Sequence, residues 1–420
     1  MIIRDVLVTP VAFRDPPLLN VAGVHQPYAL RTIVQLVCAD GVVGLGETYG
    51  DDTLLARLER IAPTLVGLSV FDVNAIRGKV EAVVTGAPGG QDPDRLTGAP
   101  STARAVLQAY SPFEVACLDA QGKALGVPVA DLLGGAVRES VPFAAYLFYK
   151  WAGHPDFEAD ETYGEALDPA GVVAQARTMV DTYGFASLKL KGGVFPPEQE
   201  IAAIRALREA FPDLPLRLDP NAAWTVATSV KVADELDGVL EYLEDPTPSI
   251  PGMAEVAREA SMPLATNMCV VAFDHLPEGV ARKAIGVLLC DHHYWGGLRM
   301  CQTLATICQT FGIGLSMHSN THLGISLAAM VHLAAATPYL SYACDTHYPW
   351  TLDDVVRPGA LRIVDGAVPV PAGPGLGVEL DPDALARLHE QYLRCGIRRR
   401  DDGGYMRTFR PEFQPPRGTW

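Results

Sequence analysis

The sequence predicts a (β/α) barrel behind a smaller α+β unit, and three observations carry that reading. The chain has 420 residues, more than one ordinary compact domain needs. From about Val141 it alternates short apolar runs of four to six residues with helical segments, the pattern of βαβ units around a parallel sheet. The polar residues that end those runs recur at a steady interval.

The first 135 residues differ in texture. Two strand-like alternations, MIIRDVLVTPVAF and LRTIVQLVCADGVVGLGE, precede helical patterns from about Leu54 to Val84 and from Ser101 to Leu125. This is the order of a small α+β capping domain, assigned to residues 1–135. The stretch GAPGGQDPDRLTGAPS, rich in Gly, Pro and Asp, reads as a mobile surface loop. Residues 136–385 are assigned to the barrel, and 386–420 to a carboxyl-terminal segment that returns to the capping domain and the site.

Eight runs are the candidate barrel strands: FAAYLFY, ASLKLK, LPLRLD, VLEYLE, MPLATN, GVLLCD, GIGLSMHS and LSYACDT. Tyr146 and Phe148 border the first, and Lys189 and Lys191 lie on the second. Asp219, Glu244, Asn267, Asp291, His318 and Asp345 follow in turn. From Lys191 onward the steps are 28, 25, 23, 24, 27 and 27 residues, about one strand, loop and helix each. A charged residue after an apolar strand is commonly the start of a solvated loop. The matched positions of two lysines, three oxygen ligands and a histidine favour a site at the barrel mouth.

Asp219, Glu244 and Asn267 offer two carboxylates and an amide oxygen from consecutive strand ends, a hard-oxygen set suited to Mg²⁺. The competing reading makes them helix caps or loop hydrogen-bonding groups. A divalent ion against a substrate carboxylate stabilises the charge formed when the adjacent proton is removed, so a base is required. Lys189 and Lys191 alternate with Leu190 and share a strand face, where each ammonium is expected to lower the pKa of the other. Asp291 and His318 end neighbouring strands, bringing a carboxylate to an imidazole. With Lys191 on the second strand, two bases then flank one carbon. The His318/His322 spacing of a zinc pair is set aside because Ser-Asn-Thr between them reads as a turn. His292 and His293 are read as rim residues.

Apolar residues at 49%, charged residues at 20% and a net charge of −16 describe an acidic globular protein. That balance argues against nucleic acid and anionic membranes, which select an excess of Lys and Arg. The eight cysteines are widely spaced with no CxxC, and no apolar run of membrane-spanning length or signal-peptide pattern occurs. A reduced, cytoplasmic, soluble protein is expected.

Taken together, GLGE around Glu47, YLF from Tyr146 to Phe148, KLKGG from Lys189, LDPNAAW from Asp219, LEDP, ATNM, D-x-H-x-W from Asp291, HSN-x-H from His318, DTH, PGLGVE and RDD at Arg400 resemble the enolase superfamily, specifically its glucarate dehydratase group. The resemblance implies a Mg²⁺ ion held by Asp219, Glu244 and Asn267. It also implies that His318 with Asp291 removes the proton beside one carboxylate of a six-carbon diacid sugar. Loss of the neighbouring hydroxyl follows, giving a 4-deoxy-5-keto diacid. Lys191 is then the base for the opposite epimer, and Lys189 lies near the substrate carboxylate. His25, Tyr146, Phe148, Asn221, Asn320, His347 and Arg400 fall at positions resembling the family's substrate contacts. A homo-oligomer is implied as well. The chain departs from the family pattern at Ala222, where glycine is frequent, and at Thr321, Leu323 and Gly324. The alternatives are a dehydratase or epimerase of another diacid such as idarate or galactarate, and a non-catalytic scaffold.

Overall fold

The computed structural model describes residues 1–86, 101–155 and 163–420. The Gly- and Pro-rich stretch expected to form a surface loop falls, apart from its ends, outside the described residues.

The amino-terminal sheet is a three-stranded antiparallel meander of β1 (Ile3–Arg14), β2 (Tyr28–Cys38) and β3 (Val43–Tyr49). Ile3, Val34, Leu36 and Cys38 from its strands are buried against helices α1 (Asp52–Leu65), α2 (Val73–Thr85) and α3 (Thr102–Leu125). The single helical stretch expected from Leu54 to Val84 is thus two helices. The chain leaves α1 at Val66 in an extended conformation and turns at Gly67, whose φ of +88° is outside the helical region.

Helix α3 is capped by Ser101, whose Oγ accepts the Arg104 N–H at 3.0 Å, and ends at Gly126 in the left-handed conformation. It lies between the cap sheet and the barrel and is buried over most of its length. The glycines of GLGE explain that proximity. A Cβ on Gly44 or Gly46 would run into the backbone of Ala116 or Pro112 on α3, so glycine is what lets sheet and helix meet.

Eight parallel strands form the nearly closed barrel: β4 (Ser140–Phe148), β5 (Leu188–Lys191), β6 (Leu216–Asp219), β7 (Tyr242–Glu244), β8 (Leu264–Thr266), β9 (Val287–Cys290), β10 (Gly314–Met317) and β11 (Cys344–Thr346). All eight expected strands are present, and β4 begins earlier than expected because Ser140–Pro142 pair with an antiparallel β12 (Ala367–Pro369). The last strand is shorter than its sequence run. Ser341 and Tyr342, ahead of β11, donate instead to the Leu315 carbonyl at 2.9 and 3.2 Å and help close the barrel beside β10.

Register sets the level of the site. Tyr146 pairs with Lys189, Phe148 with Lys191, and Lys191 with Asp219, which places these side chains at the carboxyl end of the strands. Ala265 pairs with Glu244 on the same side of the barrel. The carboxyl-terminal helix α4 (Pro382–Cys395) meets the cap, where His389 Nδ1 lies 2.7 Å from the Pro10 carbonyl. After it, α5 (Asp402–Phe409) leads to a tail whose Gly418 N–H donates to the Ala222 carbonyl at 2.8 Å, beside the turn that follows Asp219.

Candidate active site

Lys189 stands at the centre of the polar mouth. Its Nζ is 2.6 Å from Glu244 Oε2, 2.7 Å from Asp345 Oδ2 and 3.8 Å from Asp219 Oδ2, with all four side chains inaccessible to solvent. Burial alone would pull this ammonium down, but Asp345, Glu244, Tyr146 and Asp219 outweigh it and hold it well above the usual lysine range. The expectation that the two lysines depress one another therefore fails for Lys189, which faces carboxylates rather than its neighbour. Lys191 Nζ is 2.6 Å from Asp219 Oδ2.

The oxygen set is assembled by three strand ends. Asp219 Oδ1 accepts the Asn221 N–H at 2.9 Å. Burial opposes ionisation of Asp219, yet Lys191 and Lys189 prevail and hold the carboxyl below its usual range. Burial, reinforced by Asp219, pushes Glu244 well upward. Asn267 is fixed through its backbone, whose N–H donates to Asp245 Oδ2 at 2.8 Å, while Thr266 Oγ1 donates to Asp245 Oδ1 at 2.6 Å. Glu244 Oε1 and Asn267 Oδ1 are buried and accept no hydrogen bond. Buried acceptors without donors are costly, so these two oxygens fit a hard cation, and the donor set of carboxylates and an amide fits Mg²⁺.

Asp291, His292 and His293 also bring three potential ligand atoms together, within 4.8 Å of one another. Their hydrogen bonds leave no room for a cation. His293 Nε2 is 2.7 Å from the Arg31 guanidinium, and both Asp291 oxygens are engaged by imidazoles. An adjacent fixed positive charge makes this a poor metal centre.

The expected dyad is formed: His318 Nδ1 lies 2.9 Å from Asp291 Oδ2. With Nδ1 donating to the carboxylate, Nε2 is left as the basic nitrogen. Burial would raise the Asp291 pKa, but His293 and His318 hold it well below the ordinary carboxylate range. Both His292 and His293 are buried, contrary to the rim assignment. They belong to a short helical turn, His292–Trp295, packed against α3, with Ser111 Oγ donating to the His292 carbonyl at 2.8 Å.

A third group forms where the cap, barrel and carboxyl-terminal segment meet. Arg400 Nη2 is 2.7 Å from His25 Nε2, and Arg400 Nη1 is 3.2 Å from Asn320 Oδ1. Asp15 Oδ2 holds His25 Nδ1 at 3.0 Å, and Asp402 Oδ2 accepts from Arg400 Nε at 2.8 Å. Asp15, Asn320, Arg400 and Asp402 line a cavity together with Tyr49 and Thr321. His347 packs its ring 4.8 Å from Tyr146 and 5.0 Å from Phe148, forming an aromatic wall. Burial, with His25, His322 and Arg400 nearby, keeps His347 well below the usual histidine range. Asn221 takes a φ of +55° and Ala222 one of +61°, and Asn221 Nδ2 donates to Met268 Sδ at 2.9 Å. The left-handed conformation at Ala222 is one that glycine adopts more readily than alanine.

All fourteen residues expected at the site thus fall at or beside the carboxyl end of the barrel or in the Arg400 cluster. Asp15, Arg31, Tyr49 and Asp402 were not expected at the site, and His293 was assigned to the rim. Only His293 and Asp402 had a signal, lying within D-x-H-x-W and the RDD at Arg400.

The fold agrees with that of known proteins. Residues 3–134 match the mandelate racemase / muconate lactonizing enzyme N-terminal domain, and residues 171–384 match the enolase C-terminal domain-like family. A probable glucarate dehydratase of Streptomyces coelicolor is 55% identical, over 99% of this chain and 97% of its own. A solved enolase from Thermobispora bispora, complexed with magnesium and formate, is 65% identical with a TM-score of 0.98 and full coverage of both chains. Another, from Pseudomonas fluorescens with bound magnesium, potassium and tartrate, is 50% identical with a TM-score of 0.93 over 99% of this chain and 98% of its own. The chain belongs to the enolase superfamily and, within it, resembles the glucarate dehydratase group.

Proposed function

We propose that the protein is a Mg²⁺-dependent dehydratase of six-carbon diacid sugars, acting on D-glucarate to give 5-dehydro-4-deoxy-D-glucarate and water. The observation that carries this reading is the His318–Asp291 contact of 2.9 Å in a mouth shared with Lys191 and the oxygen set of Asp219, Glu244 and Asn267. The tartrate held by the Pseudomonas fluorescens relative, itself a hydroxylated diacid, supports the substrate class. Asp219, Glu244 and Asn267 would hold the ion, which when bound stabilises negative charge on the substrate carboxylate as the neighbouring carbon is deprotonated.

His318 Nε2 takes the proton at C5, and Asp291 stabilises the resulting imidazolium. The same imidazolium returns a proton to the hydroxyl leaving C4, so that water departs and the enol product rearranges to the ketone. Lys189, cationic among its carboxylates, adds positive charge beside the carboxylate being activated. His25, Asn320 and Arg400 bind the far carboxylate through charge-assisted hydrogen bonds, Asn221 contributes an amide beside Asp219, and the wall of Tyr146, Phe148 and His347 excludes water. Lys191 lies on a strand that does not neighbour that of His318, and it serves as the base for the epimer of opposite configuration at C5. That placement favours a second reading within the same chemistry, epimerisation of the diacid by proton removal from one face and return on the other.

All eight cysteines are free thiols, seven of them buried, which supports a reducing, cytoplasmic setting for the enzyme. Family resemblance supports a homo-oligomer.

The test is α-keto acid formation from a panel of diacid sugars with Mg²⁺. Product from D-glucarate is expected, and no product from any member of the panel, with protein shown to be folded, would overturn the enzyme reading. Solvent deuterium entering the substrate without keto acid would select the epimerase.

A further inference from the structure

Asp291 serves two imidazoles at once. Its Oδ2 accepts from His318 Nδ1 at 2.9 Å, and its Oδ1 lies 2.7 Å from His293 Nδ1. On the far side of His293, Nε2 is 2.7 Å from Arg31 Nη2 and 2.8 Å from Ser326 Oγ. A guanidinium has donors and no acceptor, so His293 Nε2 must carry the lone pair and Nδ1 the proton. The ring is therefore neutral, in one tautomer, and donates to Asp291.

Arg31 is held in turn by the cap. Its Nε donates to Glu47 Oε1 at 2.8 Å, and both side chains are buried. The Glu47 carboxylate also accepts the backbone N–H groups of Leu323 and Ser326, each at 2.8 Å, at the start of the helix Gly324–Ala335 that follows His318. Arg31 and Glu47 come from β2 and β3, whereas His293 and His318 come from the barrel. One continuous polar chain thus runs from the cap sheet to the catalytic base. The proposed chemistry uses only its last two members.

We propose that Arg31 and His293 are positioning residues for the His318 base. Arg31 fixes His293 as a neutral Nδ1–H donor, and His293 takes up one Asp291 oxygen so that a measured share of that carboxylate's charge reaches His318. The proposal rests on the reading of His318 and Asp291 as the catalytic pair. A protonated His293 would draw Asp291 toward itself and weaken His318 as a base. Loss of the His293 donor would have the opposite effect, concentrating the charge on His318 and making its imidazolium slower to release a proton.

Other charged or titratable groups face the chain. Tyr49 from the cap donates to Asp291 Oδ2 at 3.4 Å, and the His292 ring lies 3.9 Å from that of His293. Tyr294 stacks 6.3 Å from His318, His322 acts on His293, and His347 senses His318. None of them both touches Asp291 Oδ1 and abuts the guanidinium, which is the arrangement that fixes the His293 tautomer.

The experiment is ¹⁵N spectroscopy of histidine-labelled full-length protein with Mg²⁺ and no substrate, from pH 6 to 8.5, on the wild type, His293→Asn and His293→Phe. In the wild type, His293 is expected as the neutral Nδ1–H tautomer throughout. In His293→Phe the His318 midpoint rises by roughly half a pH unit or more. It returns to the wild-type value in His293→Asn, whose amide N–H replaces the lost donor. An Nε2–H tautomer or titration of His293 in this range would overturn the proposal. So would a His318 midpoint unmoved in His293→Phe, or displaced equally in His293→Asn. If His293→Phe fails to fold, the wild-type tautomer and the His293→Asn midpoint decide. The readout needs no turnover: absence of dehydration by the wild type would sink the substrate reading and leave this result standing.

Discussion

The Lys189 ammonium lies 2.6 Å from the Glu244 carboxylate, with neither side chain exposed. Asp345 at 2.7 Å and Asp219 at 3.8 Å complete a ring of carboxylates around one cation. Removing one partner of a buried charge group leaves the rest uncompensated. Lys189→Met should therefore lower the stability of metal-free protein by about 3–5 kcal/mol. Added Mg²⁺ should raise the variant's Tm by more than it raises that of the wild type, because the ion supplies the missing charge. Thermal denaturation with and without Mg²⁺ checks this, and an equal metal response in both proteins would contradict it.

Asp291 orients His318 and carries the charge that stabilises its imidazolium. Asp291→Asn keeps the size of the side chain and removes that charge, so kcat with D-glucarate should fall by about two to four orders of magnitude. Steady-state kinetics on folded variant protein provides the check. A loss of only a few-fold would show that the carboxylate does little for the base.

Arg400 reaches His25, Asn320 and Asp402 from the carboxyl-terminal segment, and these hydrogen bonds involve none of the three proposed metal ligands. Arg400→Met should raise KM by roughly tenfold or more, since a charge-assisted hydrogen bond to a carboxylate is lost. Magnesium affinity should stay at the wild-type value. Kinetics together with metal titration separates the two effects; weakened magnesium binding would instead place Arg400 in the metal site.

His332 is buried on the helix Gly324–Ala335, with Nδ1 accepting the Ala130 N–H at 3.2 Å and Nε2 donating to the Leu376 carbonyl at 3.1 Å. Burial depresses its pKa to about 4, so the fold requires the neutral ring. The unfolded chain binds a proton near pH 6.5, and the unfolded state therefore holds more protons between pH 6.5 and 4. Stability is fully present above pH 6.5 and is lost as the pH falls toward 4. Between pH 7 and 5 this residue accounts for about 2 kcal/mol. Chemical denaturation of His332→Gln at both pH values should show a drop smaller by about that amount than in the wild type. An unchanged drop would contradict the assignment.

The barrel and most of the mouth were legible because each polar side chain ends an apolar strand, and one strand, loop and helix repeat at nearly constant length. Lys191, Asp219, Glu244, Asn267, Asp291 and His318 announced themselves in that way. What the sequence hid arises from contacts between distant segments. Arg31 and His293 are separated by 262 residues, and His25 and Arg400 by 375, so no local periodicity relates them. The state of Lys189 was misjudged for a similar reason. Its neighbour on the strand is visible in the sequence, whereas Asp345, brought against it by closure of the barrel, is 156 residues away.

The central claim is that His318 removes the C5 proton of a diacid sugar and that elimination follows. Proton NMR of D-glucarate with Mg²⁺ in D₂O, using wild type and His318→Asn, tests it most directly. The wild type should consume the C5 proton in step with appearance of the 4-deoxy-5-keto product. His318→Asn should abolish product formation from D-glucarate, while Lys191 still exchanges the C5 proton of the opposite epimer. Undiminished turnover of D-glucarate by folded His318→Asn, or no reaction of any diacid with folded wild-type protein, would contradict the account.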